Sequence, residues 1–157
     1  MENNKFLKKV SYQGESQNQD YKREPIDTFY KSLNFQSYWI TKGADEQLIL
    51  FAEKTGKYMA PLYKGDRDAL SNSQIRNVFG EIRRIQFSGF DKNKASFYLL
   101  KPKVAYAEGR NNTKGMQLFR KVFDESWQYI QNQNDYLNFC NLLEAILAYH
   151  KANEWKD

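Results

Sequence analysis

The sequence predicts an all-α protein, a compact bundle of about five helices. Apolar residues recur at helical spacing through several segments, alternating strand patterns are absent, and no Asn-Gly or Asp-Gly dipeptide marks a hairpin. A length of 157 residues suits one domain with a core of its own. Hydrophobic content of 41% and aromatic content of 16% lie far above what a disordered chain carries, while a mean hydropathy of −0.83 marks a polar, soluble protein.

Residues 1–24 are rich in Asn, Gln, Lys and Ser and are expected to form a polar tail, with Pro25 opening a single helical domain over 25–157. A short helix over about Ile26–Asn34 carries Phe29, Tyr30 and Leu33. The next, about Ala44–Met59, gathers Leu48, Phe51, Ala52 and Met59 on one face and stops before Pro61. Ser71 opens a third, and Gln74 three residues later has capping-box spacing. Its apolar residues Ile75, Val78, Phe79, Ile82 and Ile85 hold helical period over three turns. A fourth helix, about Lys92–Gly109, turns Phe97, Leu100, Val104 and Ala107 inward. Pro102 within it removes one backbone donor and crowds the Tyr98 carbonyl, so a kink is expected there. About Met116–Gln131 and Tyr136–Asn153 read as a final antiparallel pair.

Charge is distributed unevenly. Residues 70–121 hold eleven basic side chains against three acidic ones, a net +8, whereas 1–69 carry +1 and 122–157 carry −4. An asymmetry of this size reads as a surface for a polyanion. A helix advances ~100° per residue, so with Ile75 at zero the apolar stripe centres near −20°, with Arg83 at about 80° and Arg76 at about 100° beside it. Gly80 falls close by and Glu81 on the far side. Two guanidinium groups thus share a strip with a glycine, where a phosphate backbone can approach closely and be gripped bidentately. On the next helix Lys103, Tyr106 and Arg110 share a second strip, and Lys101 points about 160° away from Lys103. Tyr98 and Tyr106 read either as stacking platforms for bases or as half-buried rim residues. The same basic residues also suit an ordinary solvated face whose stems cover the edge of a core. The scarcity of acids across the whole span favours the polyanion.

Other chemistries find little support. The single histidine, His150, has no Cys, Asp or Glu cluster at ligand spacing, so neither metal nor other cofactor is expected. Cys140 lies ten residues from His150 on one helix, too far for a nucleophile–base pair, and reads as a core thiol in a reducing cytosol. No phosphate-cradling Gly-rich loop appears and the carboxylates are scattered. No apolar run approaches the ~20 residues of a spanning helix, and MENNKFLKKV lacks the apolar core of a secretory signal. A cytoplasmic, non-enzymatic protein is expected.

Two segments carry a more specific signal. Leu70-Ser-Asn-Ser-Gln-Ile-Arg-Asn-Val-Phe79, followed by Ile82 and Ile85, and Leu100-Lys-Pro-Lys-Val-Ala-Tyr-Ala-Glu-Gly-Arg110 resemble the small helical subunit of type III-A CRISPR–Cas (Csm-type) effector complexes. The resemblance covers about Ala44–Asn153. It implies a bundle of about five helices without enzymatic activity, stacked in several copies beside the crRNA-holding backbone subunits. Its basic face would contact the crRNA–target RNA region, chiefly the target strand. Target cleavage in such complexes belongs to the backbone subunits, and DNA cleavage and cyclic oligoadenylate synthesis to the large subunit. By motif match the RNA-contacting positions are Arg76, Lys101, Lys103, Tyr106 and Arg110; helical phase adds Arg83. Pro102 stands where the family ordinarily has a branched apolar residue. The small subunit of a type III-B complex would have similar composition, and the two motifs favour III-A. A competing reading is a structural assembly protein whose basic face docks an acidic protein surface, such as the C-terminal acids (Asp124, Glu125, Asp135, Glu144, Glu154, Asp157) of a neighbouring copy.

Overall fold

The structure is a computed structural model that describes residues 22–155. The expected tail thus falls almost entirely outside the described residues. Among the described residues the fold is all-α, with α1 (Ile26–Leu33), α2 (Tyr38–Thr41), α3 (Glu46–Met59), α4 (Asn72–Ser88), a 3₁₀ turn (Asp91–Asn93), α5 (Lys94–Arg110), α6 (Lys114–Trp127) and α7 (Gln133–Ala152). That is seven helices rather than about five. The short α2 had no periodic signature. It forms because Trp39 and Ile40 are buried, and because the Asp45 carboxylate accepts hydrogen bonds from Tyr38 Oη (2.6 Å) and Trp39 Nε1 (2.8 Å). The same carboxylate caps α3 by accepting from the Leu48 N–H.

Local signals elsewhere act as their chemistry demands. Ser71 and Gln74 form the expected capping box of α4, Gln74 N–H donating to Ser71 Oγ (3.2 Å) and Ser71 N–H to Gln74 Oε1 (3.1 Å). Thr113 and Asn132 cap α6 and α7 without the reciprocal half, each side-chain oxygen accepting from the N–H three residues on. Helix α5 continues without a break through Pro102, which is exposed.

α7 is the organising helix. Tyr136, Phe139, Cys140, Leu142, Leu143, Ile146 and His150 are all buried on it. It lies chiefly along α3 and α2, and meets its sequence neighbour α6 through contacts such as Phe123–Phe139 (5.7 Å) instead of pairing along its length. Gly56 makes that packing possible: a Cβ there would sit 2.6 Å from the Ile146 carbonyl and 2.7 Å from the His150 nitrogen. The Tyr136 hydroxyl reaches across to the Ile82 carbonyl (2.7 Å), tying α7 to α4.

Arg23, assigned from sequence to the tail, is buried. It donates to the Tyr58 and Ala60 carbonyls at the end of α3 (2.7 Å each) and meets Asp66 at 2.8 Å. Those carbonyls lie where a helix runs out of its own donors.

His150 is also structural. Its Nε2 lies 2.9 Å from the Leu70 carbonyl, to which it donates as the neutral ring, and burial holds its pKa below the ordinary value of 6.5. Protonation therefore favours the unfolded chain, so stability is complete above pH ~6.5 and falls as pH drops below it toward the depressed folded value. Urea unfolding between pH 7.5 and 5.5 should show this fall, and His150→Gln should flatten it. An identical pH profile in that variant would contradict the assignment.

Candidate nucleic-acid interface

α4 forms a ridge with a groove on either side. Toward α7, Arg76, Gly80 and Arg83 line a shallow groove of about 400 Å³ together with Lys151 of α7, and no carboxylate lines it. The helix phase that places both arginines there is fixed by burial of Val78, Ile82 and Ile85 on the opposite side. The Arg83 guanidinium rests over the Phe79 ring, 4.9 Å from its centroid. It also approaches Glu144 of α7 at 3.9 Å while remaining half exposed. Arg76 is exposed and has no ion-pair partner among the described residues. Gly80 answers no packing need, since an added Cβ would meet nothing within 4 Å.

Toward α5 lies a larger groove of about 820 Å³, lined by Lys103, Tyr106 and Arg110, with Glu81 on its α4 wall. Glu81 is thus on the far side of α4 from the two arginines, as helical phase requires. It accepts from Arg84 Nη2 (2.8 Å) and Nε (3.1 Å) and lies 3.9 Å from Lys103 Nζ. Chiefly the Arg84 hydrogen bonds hold its carboxyl below the usual carboxylate range. This groove is therefore less positive than its lysine and arginine suggest. Tyr106 is 68% exposed at its edge.

Lys101 belongs to neither groove. It turns to α6, with Nζ 4.7 Å above the Trp127 ring and 3.9 Å from Asp124. The uninterrupted helix keeps it opposed to Lys103, which turns instead toward Glu81 of α4. Tyr98 leans on Phe97 (5.7 Å) and Trp127 (6.4 Å) at the rim. The six sequence-assigned residues thus occupy three places, with Arg76 and Arg83 together, Lys103, Tyr106 and Arg110 together, and Lys101 apart.

Two residues near the Arg76–Arg83 strip escaped the spacing argument, Lys151 within the groove and Phe87 beyond its end. Lys151 lies 75 residues from Arg76 and is brought in only by the packing of α7. Phe87, 79% exposed, continues the Arg76–Arg83 strip one turn further, and helical phase alone would have found it.

Several C-terminal acids are engaged inside the chain. Glu144 faces Arg83, Asp124 faces Lys101 and Arg120, Glu154 pairs with Lys151 (3.1 Å), and the Asp135 carboxylate accepts from the Gln131 N–H near the start of α7.

Among the described residues no group of side chains has the composition of a metal site, and no helix is long and apolar enough to cross a membrane. Burial raises the Cys140 thiol to about 12, far from a reactive thiolate.

A family model described as Csm2 Type III-A matches residues 42–156. No curated protein and no solved structure matches the chain. With most of its length matched, both grooves of α4 included, the chain belongs to the Csm2 type III-A family, small subunits of type III-A CRISPR–Cas complexes.

Proposed function

We propose that this chain is the non-catalytic RNA-binding small subunit of a cytoplasmic type III-A interference complex. Several copies stack beside the other Csm-type subunits and line the channel that holds crRNA and target RNA. The observation that carries this reading is the α4–α7 groove, where Arg76, with no ion pair among the described residues, stands beside Arg83 and Lys151, whose pairs with Glu144 (3.9 Å) and Glu154 (3.1 Å) leave both side chains more than half exposed. Guanidinium groups grip phosphate oxygens, and the bare backbone at Gly80 gives a strand room to approach. Lys103, Tyr106 and Arg110 form a second, weaker contact line across the ridge. Lys101 contributes to the overall field and does not join that line. Internal engagement of the C-terminal acids leaves fewer of them for a neighbouring copy, which weighs against a purely protein-docking role.

The test is an assembled complex carrying Arg76→Glu and Arg83→Glu together. Neither side chain is buried, so the melting temperature of the subunit should change little. The complex should keep its subunit stoichiometry and its small RNA, held chiefly by other subunits, and lose target affinity by at least tenfold. Unchanged target binding with collapsed stoichiometry would instead make the basic face a protein-docking surface.

A further inference from the structure

Phe87 lies in the last turn of α4, four residues beyond Arg83 and eleven beyond Arg76. Eleven residues make three turns with only ~20° left over, so Arg76 and Phe87 nearly eclipse one another, and Arg83 and Gly80 fall within about 40° of them on the same strip. The Phe87 ring is 79% exposed, more than any other large apolar side chain among the described residues, and it is no part of the hydrophobic core. A single exposed phenyl ring needs no explanation by itself. Here it ends a run of cations. Arg83 stands about 6 Å away along the axis, close to one nucleotide step of an extended strand.

Resting on the RNA-binding reading above, we infer that Phe87 is a stacking platform for an unpaired RNA base whose flanking phosphate lies on Arg83. Charge complementarity selects nucleic acid over an apolar protein partner. The ring has no second strongly exposed apolar neighbour on α4 with which to form a hydrophobic patch, and a protein seated on it would crowd the Arg83 guanidinium one turn away. A ring beside phosphate-binding arginines accepts any base, because every base has a π-face. Recognition at this position is therefore independent of sequence, as a subunit serving many guides requires.

The experiment uses the full chain and a short single-stranded RNA containing 2-aminopurine, whose emission reports stacking. Phe87→Ala should weaken binding about fivefold or more and abolish the emission change, leaving the melting temperature and the salt dependence of affinity as in the parent. Phe87→Trp should restore both affinity and emission change. Unaltered affinity and emission in Phe87→Ala would overturn the inference. So would a parent chain that fails to bind the RNA at low salt, or a variant whose only defect is in association between copies. Arg76→Ala/Arg83→Ala, measured in parallel, separates the two ideas. If that variant loses affinity and salt dependence while Phe87→Ala does not, the stacking role fails and the RNA-binding reading stands. If neither changes anything, both fail.

Discussion

Gly56→Ala should be among the most damaging single substitutions in this chain, costing about 3 kcal/mol or more even though alanine is the better helix former. The added methyl would meet the Ile146 carbonyl at 2.6 Å and the His150 nitrogen and Tyr149 Cβ at 2.7 Å. Two of those three atoms are backbone, so no rotamer change relieves the contact, and α3 must move away from α7. That movement opens the packing of Phe51, Ala52, Phe139 and Leu143, which are fully or almost fully buried. Gly80→Ala is the matched control. Its Cβ would face open space, so it should gain up to ~1 kcal/mol of helix propensity. Urea unfolding of the two variants should move in opposite directions. A Gly56→Ala protein as stable as the parent would refute the close α3–α7 crossing.

Loss of Arg23 should be nearly as severe. Arg23→Met removes a cation whose side chain is only 4% exposed and strands Asp66, which is 1% exposed and also accepts from the Leu62 and Asp68 N–H groups (3.0 Å each). Breaking a buried pair on one side costs about 3–5 kcal/mol, because the remaining buried charge keeps its hydrogen bonds but has no counter-charge. The Tyr58 and Ala60 carbonyls lose their donors as well. Arg23→Lys should rescue little, since one ammonium cannot reproduce a planar fork that serves three acceptors. Arg23→Met with Asp66→Asn should cost less than Arg23→Met alone, because the orphaned charge is gone. Thermal melts of the three variants check the order. Equal stability of Arg23→Met and parent would mean that the Arg23 contacts with Tyr58, Ala60 and Asp66 are dispensable to the fold.

What could be read from the sequence was whatever a single helix decides by itself. The capping box at Ser71, the apolar stripe of α4, the shared side of Arg76 and Arg83, and the opposition of Lys101 and Lys103 all follow from one helix's phase. What could not be read depends on how helices meet. Sequence adjacency suggested that the last two helices pair, whereas α7 lies along α3 because Gly56 admits it. Helix α2 has four residues and no period to detect; tertiary burial of Trp39 makes it. Arg23 looked like tail because its acceptors lie 35 to 43 positions downstream. At the candidate site, Lys151 joining the arginines and Glu81 dampening the second groove are likewise products of packing. Helical phase separated the Arg76–Arg83 strip from the Lys103–Tyr106–Arg110 strip, and packing set them in two grooves on either side of α4.

The claim that the α4–α7 groove grips phosphates is tested most directly by the salt dependence of RNA affinity. Each phosphate contact on a single strand contributes a slope of about −0.7 to log affinity against log salt. Removing both arginines in Arg76→Ala/Arg83→Ala should therefore make the slope shallower by about 1.4 and weaken binding equally for RNAs of unrelated sequence. A slope that stays at the parent value, with affinity unchanged, would contradict it.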